Sequence, residues 1–176
     1  MRLFIAFGLS SDLHADLKKV QQSLERTNAR LTMTRSFHQT LKFLGNVSPE
    51  KLELLKERLL PIIFSPFRVS LGELGVFPNL NEPKVIWIDL NPKKEIMDVQ
   101  AKIDNALADL FPKEIDFVPH ITLARARSIG PKFSDQLKEI TLPDKKVMEI
   151  QSFSVYSSLL TSAGPIYEKV ITIPPR

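Results

Sequence analysis

Apolar residues along this chain alternate between short continuous runs and helical stripes. The run from Arg2 to Phe7 predicts a first β-strand, which Gly8 ends. Ser10 or Ser11 then supplies a hydroxyl N-cap for a helix that runs to about Asn28. The apolar positions of this helix recur at helical spacing, at Leu13, Leu17, Val20 and Leu24. They form one stripe, which predicts that the helix packs on a sheet.

The rest of the chain continues this alternation of strands and helices. Ser48 and Pro49 mark the start of a second helix, as an N-cap and a proline at the tolerated first position. Glycine and proline residues between 75 and 83, and between 130 and 143, predict loops. The further predicted elements are strand 38–44, helix 49–61, strands 67–74 and 84–90, helix 94–110, and strands 117–126, 147–157 and 166–173.

Two tetrapeptides share the pattern His-x-Thr-Leu, one beginning at His38 and the other at His120. Their offset is 120 minus 38, or 82 residues. The same offset superimposes three more pairs of segments, which are 85–90 on 3–8, 95–110 on 13–28 and 149–155 on 67–73. A repeat of two strand, helix, strand units predicts two similar lobes that divide near residues 78–84. Residues 1–176 are therefore predicted to form a single bilobal domain.

The tetrapeptides lie on predicted strands, where residues i and i+2 project from the same face. His38 therefore projects beside Thr40, and His120 projects beside Thr122. If a pseudo-twofold axis relates the lobes, the two pairs converge in one cleft at the lobe junction, where ligand sites are common. The repeat thus predicts a symmetric site of two imidazoles and two hydroxyls.

Composition narrows the class of protein without deciding its function. The 176 residues are 43% hydrophobic, 25% charged and 8% aromatic, which is typical of one globular domain with a real core. The 24 basic and 20 acidic residues leave a net charge of +4, which is compatible with a polyanionic ligand but common elsewhere. Cysteine is absent, which excludes disulfides and thiolate nucleophiles and suits the cytoplasm. No apolar run approaches the length of a membrane span.

Two imidazoles and two hydroxyls in one cleft suit the cleavage of a phosphodiester. With ordinary pKa values near 6.5, one histidine can be neutral and act as a base while the other is protonated and acts as an acid. The threonine hydroxyls can donate hydrogen bonds to the phosphate oxygens on which charge develops. Opposed histidines therefore suit in-line general acid and base catalysis without a covalent intermediate.

Other chemistries lack their parts in this sequence. It contains no H-E-x-x-H pair, no G-x-S-x-G turn, no G-x-x-x-x-G-K-[ST] loop and no G-x-G-x-x-G fingerprint. The remaining histidine, His14, lies among polar residues off the apolar stripe and is predicted to be an exposed residue without a role. A zinc site would need a third ligand, so we expect neither a metal nor another cofactor.

The motifs resemble the two-histidine phosphoesterases, and specifically the LigT-like RNA 2′,3′-cyclic phosphodiesterases, also called 2′-5′ RNA ligases. The similarity spans nearly the whole chain, through Arg2–Ala6, His38–Gly45, Pro119–Arg125 and Tyr156–Leu159, with Gly164 and Tyr167. It implies an α+β fold of two pseudo-symmetric lobes, each an antiparallel sheet with outer helices, around a central cleft. It also implies hydrolysis of RNA 2′,3′-cyclic phosphate ends to 2′-phosphomonoesters, with weak reverse ligation that forms 2′-5′ bonds.

The resemblance also implies a role for each site residue. His38 corresponds to the proton donor for the leaving 3′ oxygen, and His120 to the base that activates water, while Thr40 and Thr122 hold the phosphate. The family arginine that follows the second motif corresponds to Arg125, which could neutralise phosphate charge or be solvated. Strict strand alternation would point Arg125 away from the His120 face unless the strand bends.

Two further residues each have two interpretations. Phe4 shares a face of the first strand with Ala6 and could stack on a base at the cleft edge, or it could belong to the core. Lys42 shares a face with His38 and Thr40, so it could steer a phosphate backbone or be solvated at the strand end.

Three functions fit these residues. The first is a metal-free RNA 2′,3′-cyclic phosphodiesterase, and the second is a non-catalytic module of the same fold that binds RNA ends. The third is a phosphodiesterase of small cyclic nucleotides. For the first, the expected partner is RNA with a 2′,3′-cyclic phosphate terminus. We expect a cytoplasmic monomer without a membrane or an obligate protein partner.

Overall fold

The computed structural model describes residues 1–162 and 164–176. Thirteen helices and strands occur in these residues. In chain order they are β1 (Arg2–Phe7), α1 (Ser11–Leu24), β2 (Ala29–Met33), β3 (Gln39–Asn46), α2 (Pro49–Leu59), β4 (Phe67–Phe77), β5 (Val85–Asn91), α3 (Lys93–Ala106), β6 (Ile121–Ile129), α4 (Phe133–Lys138), β7 (Val147–Ile150), β8 (Phe153–Thr161) and β9 (Gly164–Ile173).

The strands form two antiparallel sheets. One sheet has the order β3-β1-β8-β9, and the other has the order β2-β6-β5-β4-β7. Helix α3 packs against β3 of the first sheet, α1 packs against β6 of the second, and α2 packs against α3. The α+β class with two lobes around a cleft, which the family resemblance implies, is confirmed.

Helix α1 shows how the sequence positions an outer helix. The Ser10 hydroxyl accepts a hydrogen bond from the Leu13 backbone N–H, which satisfies one of the free donors of the first turn. The predicted apolar stripe is buried in full, at Leu13, Leu17, Val20 and Leu24. Its burial against β6 removes apolar surface from water, and this stabilises the helix more than the propensity of its residues does.

Several predicted boundaries are wrong. Helix α1 ends at Leu24 rather than near 28, and the strand β2 follows it within the predicted loop. The segment 147–157 is not one strand, because β7 pairs with β4 in one sheet and β8 pairs with β1 in the other. The strand expected from residue 117 begins only at Ile121, and the short helix α4 was not predicted.

The two halves of the chain repeat the same strand register. In the first sheet Phe4 lies opposite Phe43 and Ala6 lies opposite Thr40, with an irregularity between them. In the second sheet the corresponding pairs are Val85 with Arg125 and Trp87 with Thr122, again with an irregularity between them. The offset is therefore 82 residues between β3 and β6 but 81 residues between β1 and β5.

Helices in the described ranges are all too short or too polar to cross a membrane.

Candidate active site

Each catalytic candidate histidine directly precedes a strand. His38 comes one residue before β3, and His120 comes one residue before β6. Both side chains are half-buried. The two rings are near enough that the charge of His120 contributes to lowering the pKa of His38, after the larger effect of burial. The cleft between the sheets therefore brings the two predicted histidines together.

A β-bulge after each motif decides which side chains share the cleft face. Residues directly opposite each other on neighbouring strands project from the same face. Trp87 and Val85 lie two residues apart on β5, and their partners Thr122 and Arg125 lie three residues apart on β6. Leu123 is the extra residue, and the bend turns Arg125 onto the face of Thr122.

A side chain of α1 holds this bulge. The carbonyl oxygen of Leu123 accepts hydrogen bonds from the backbone N–H of Thr34 at 2.9 Å and from Nε2 of Gln21 at 2.8 Å. The same Gln21 nitrogen also donates to the carbonyl oxygen of Thr34, at 2.8 Å. Gln21 is buried on the helix face that otherwise carries leucine and valine, which is the sequence signal for its positioning role.

The equivalent bulge in β3 removes Lys42 from the cleft. Lys42 lies opposite Ile5 rather than sharing a face with Thr40, and it is 1% exposed. Its ammonium group donates to Asp104 Oδ1 at 2.5 Å and to the carbonyl oxygen of Pro112 at 2.6 Å. Both interpretations of Lys42, as a phosphate-steering residue and as a solvated residue, are therefore wrong. Strict alternation fails here because of the extra residue at Leu41.

Aromatic rings enclose His38. The ring centroid of Phe4 lies 4.8 Å from that of His38, and the Tyr167 ring meets His38 edge-on at 5.2 Å. Phe4 also stacks on Tyr156 at 5.4 Å and is only 4% exposed. Phe4 thus packs beside His38 with little surface free for a base, which agrees with the second of its two interpretations.

The surroundings of His120 combine aromatic rings with a hydrogen bond. Phe77 meets the His120 ring edge-on at 4.9 Å, and Trp87 lies 6.1 Å away. His120 Nδ1 lies 2.8 Å from the carbonyl oxygen of Val118. Because a carbonyl oxygen can only accept, Nδ1 carries the proton and donates it, which leaves Nε2 as the free nitrogen. Sequence reasoning missed Phe77 and Trp87, because the pattern of one strand does not show which strand pairs with it.

Burial lowers the pKa of both histidines. The pKa of His38 falls to about 4, first because of burial and then because of the charges of His120 and His14. The pKa of His120 is also lowered by burial and by the charge of Arg125, but its hydrogen bond to Val118 opposes this. The two imidazoles are therefore electrostatically unequal although their positions correspond.

His14 does not match its prediction. It is half-buried rather than exposed, and its ring meets Phe37 edge-on at 5.5 Å. Its charge contributes to lowering the pKa of His38, so α1 carries it to the neighbourhood of the cleft. Within residues 1–162 and 164–176, no three side chains of histidine, cysteine, aspartate or glutamate are grouped so that they could hold a metal ion.

Thr40 and Thr122 complete the cleft faces. Thr40 is 9% exposed opposite Ala6, and Thr122 is half-buried opposite Trp87. Arg125 is exposed on the same face as Thr122 and lies near enough to Tyr167 to affect its pKa, which burial raises and Arg125 lowers. This set can donate hydrogen bonds to an anion and can move protons, which are the needs of phosphoryl chemistry without a nucleophilic side chain.

Known proteins share this sequence and fold. The family model described as "LigT like Phosphoesterase" matches residues 7–87 and 88–167. The chain is 32% identical to the RNA 2′,3′-cyclic phosphodiesterase of Methanocaldococcus jannaschii, over 97% of this chain and 98% of that protein. It is 31% identical to the RNA 2′,3′-cyclic phosphodiesterase of Archaeoglobus fulgidus, over 96% of this chain and 97% of the relative.

A solved structure agrees with these relatives at the level of the fold. The crystal structure of TT0787 of Thermus thermophilus superimposes with a TM-score of 0.81 at 23% identity, over 99% of this chain and 97% of that one. The family match covers most of the chain, including both His-x-Thr motifs and both halves of the sheet pattern. This protein therefore belongs to the LigT-like phosphoesterase family.

Proposed function

We propose that this protein hydrolyses RNA 2′,3′-cyclic phosphate ends to 2′-phosphomonoesters, with His38, His120, Thr40 and Thr122 as the catalytic residues. The observation that carries the proposal is the repeated strand register, which presents one His-x-Thr pair from each sheet to the same cleft. Full-length relatives named as RNA 2′,3′-cyclic phosphodiesterases support the choice of substrate.

His120 acts as the base. Its Nδ1–H donates to Val118, so the unprotonated Nε2 accepts a proton from the attacking water. The carbonyl partner favours the imidazolium that forms, because it accepts a hydrogen bond from a group that has become positively charged. The water oxygen then forms a bond to phosphorus as its proton passes to His120.

His38 acts as the acid. The bond between phosphorus and the 3′ oxygen breaks, and the proton of His38 passes to that oxygen, which leaves the phosphate on the 2′ oxygen. A pKa of about 4 makes protonated His38 a strong proton donor, but it also leaves few free molecules protonated at neutral pH. The negative charge of a bound cyclic phosphate raises the pKa of His38 and corrects this shortage.

The remaining cleft residues stabilise charge. The hydroxyls of Thr40 and Thr122 donate to the non-bridging oxygens, where negative charge grows in the transition state. Arg125, on the cleft face beyond Thr122, neutralises part of the phosphate charge. Phe4 packs against the His38 ring and supports its orientation rather than binding substrate itself.

The test is the hydrolysis of an oligoribonucleotide that ends in a 2′,3′-cyclic phosphate, with EDTA present. We expect a 2′-phosphate product, a rate that the chelator leaves unchanged, and losses of about 10² to 10⁴ in rate for His38→Ala and for His120→Ala. His14→Gln is the matched control, since it removes the third histidine and should retain most of the activity.

Two outcomes would favour the alternative functions. Tight binding of the oligonucleotide without any product would indicate a module that binds RNA ends. Efficient turnover of small cyclic nucleotides, with none of the oligonucleotide, would indicate a phosphodiesterase of small molecules. Ligation to 2′-5′ bonds, the cytoplasmic location and the monomeric state stay predictions, which ligation assays, cell fractionation and sedimentation can each examine.

A further inference from the structure

A strip of basic and aromatic residues continues the cleft faces beyond the two motifs. Its members are Phe43 on β3, Arg125 and Arg127 on β6, and Thr32 on β2, and we call it the outer strip. Apart from Arg125, the proposed reaction uses none of them. The outer strip begins next to the reacting groups, since Arg125 shares the face of Thr122 and Phe43 lies beside Phe4.

A second bulge in β6 turns Arg127 toward Arg125. Leu31 pairs with Ala126 and Arg30 pairs with Ser128, so Arg127 is the extra residue between them. Its Nε donates a hydrogen bond of 3.0 Å to the hydroxyl of Thr32, which lies directly opposite Arg125. The two guanidinium groups therefore project from one face, at positions separated by about 7 Å along the strand.

The charge of these arginines has no acidic neighbour to balance it. Among residues 1–162 and 164–176, the ion pairs involve other cations, such as Arg58 with Asp109 at 2.9 Å, and none involves Arg125 or Arg127. Both side chains are exposed. Arginine in this state offers its planar set of donors to a phosphate, and several such groups in a row follow a phosphate backbone.

Phe43 supplies the aromatic part of the outer strip. It is 66% exposed, which is unusual for a large apolar ring on a face that is otherwise enclosed. Its centroid lies 6.3 Å from Phe4, and Phe4 contacts His38. Phe43 also occupies the position in β3 that Arg125 occupies in β6, so the two lie on opposite walls of the same cleft. An exposed aromatic ring opposite arginines is the arrangement that binds single-stranded nucleic acid.

We propose that the outer strip binds the nucleotide on the 5′ side of the cyclic phosphate, with its base on Phe43 and its phosphate on Arg127. The substrate class is then an oligoribonucleotide rather than a mononucleotide. This inference rests on the proposed function, because it extends the same cleft. Thr32 is a positioning residue, which holds the guanidinium of Arg127 through the hydrogen bond to Nε.

The experiment compares two substrates, 2′,3′-cyclic AMP and a tetraribonucleotide that ends in a 2′,3′-cyclic phosphate. We expect wild-type protein to have the higher kcat/KM with the tetranucleotide. Arg127→Gln and Phe43→Ser should each lower that kcat/KM about tenfold, through stacking and phosphate contacts worth one to a few powers of ten. Both variants should leave hydrolysis of 2′,3′-cyclic AMP unchanged, and Arg58→Gln, which removes an exposed arginine from α2, should change neither reaction.

A binding measurement separates this inference from the proposed function. Fluorescence anisotropy with a labelled tetranucleotide that ends in a 2′-phosphate should give weaker binding for both variants, and Arg127→Gln should reduce the salt dependence of log K by about 0.7. Length-dependent binding without turnover would contradict the proposed function only. Equal rates on both substrates, or equal losses on both in the variants, would overturn the outer strip as a nucleotide subsite.

Discussion

His38 and His120 occupy corresponding positions in the two sheets, but their partners differ. His38 lies between Phe4 and Tyr167, while His120 has Phe77 beside it and the Val118 carbonyl as an acceptor. The sequence repeat predicts equal imidazoles and leaves their roles open. The difference in surroundings, which lowers the pKa of His38 to about 4, is consistent with His38 as the acid and His120 as the base.

The lowered pKa values predict an acidic optimum for the free enzyme. At pH 7 a histidine with a pKa of about 4 is protonated in about one molecule in a thousand. The form with one proton in the cleft is most abundant between the two histidine pKa values, and both are below 6.5. We therefore expect a bell-shaped profile of kcat/KM with its maximum below pH 6.5.

The bound substrate should shift this profile in a known direction. An anionic cyclic phosphate favours the protonated imidazoles and raises their pKa values, so the profile of kcat should lie at higher pH than that of kcat/KM. Steady-state rates between pH 4 and 9 measure both. A maximum of kcat/KM above pH 7, or two coincident profiles, would contradict this account of the cleft.

The division of labour between the histidines predicts a selective rescue. A p-nitrophenyl phosphodiester has a leaving group that needs no proton, so the loss of an acid should cost little with this substrate. We expect His38→Ala to regain much of the wild-type rate, whereas His120→Ala should stay slow because it lacks the base. The opposite pattern would exchange the two roles, and Thr40→Val should show a smaller loss on either substrate.

Among the elements, β3 and α3 are joined by a buried charge. Lys42 leaves the cleft face at the bulge and binds Asp104 on α3, which also accepts hydrogen bonds from Gln100 Nε2 and from the Glu114 backbone N–H, each at 2.9 Å. Burial raises the pKa of Asp104, but these hydrogen bonds together lower it below its usual value. The ion pair therefore fixes the strand that carries Thr40 to the helix behind it.

Removing one partner of this pair predicts a large loss of stability. Lys42→Met leaves the Asp104 carboxylate buried without its cation, and we expect the free energy of unfolding to fall by about 3 to 5 kcal/mol. Urea denaturation measures the change. Adding Asp104→Asn to Lys42→Met should recover part of the loss, because the amide oxygen still accepts hydrogen bonds and no charge is stranded. Equal stability of the single and double variants would contradict the buried pairing.

Element prediction from the sequence succeeds where apolar periodicity is strong and fails where the chain changes partner. Helix α1 and the strand β1 follow their patterns, because each has one continuous apolar set to bury. The segment 147–157 keeps its alternation across Gln151 and Ser152, so periodicity does not reveal that β7 and β8 join different sheets. Likewise the bulges, which turn Arg125 into the cleft and Lys42 out of it, depend on pairing between strands that are distant in sequence.

In the whole molecule, each sheet contains strands from both halves of the chain. The first sheet joins β1 and β3 to β8 and β9, while the second joins β2 and β4 to β5, β6 and β7. The repeat therefore does not correspond to two units that are separate in space. Its strands β4 and β8, which the offset relates, are exchanged between the lobes, so the residues of both halves share each core.

This exchange predicts that neither half folds alone. Residues 1–80 lack β8, which pairs with one edge of β1, and residues 81–176 lack β4, which separates β5 from β7. Each fragment would expose the strand edges and apolar faces that the other half covers, so circular dichroism should show little ordered structure in either. The cut lies in the exposed loop between β4 and β5, where chain breaks are tolerated, and mixing the fragments should restore both the fold and the cyclic phosphodiesterase activity. Cooperative thermal unfolding by a single fragment would instead show that the chain is two independent domains, and the cleft would then have to form by docking of preformed halves.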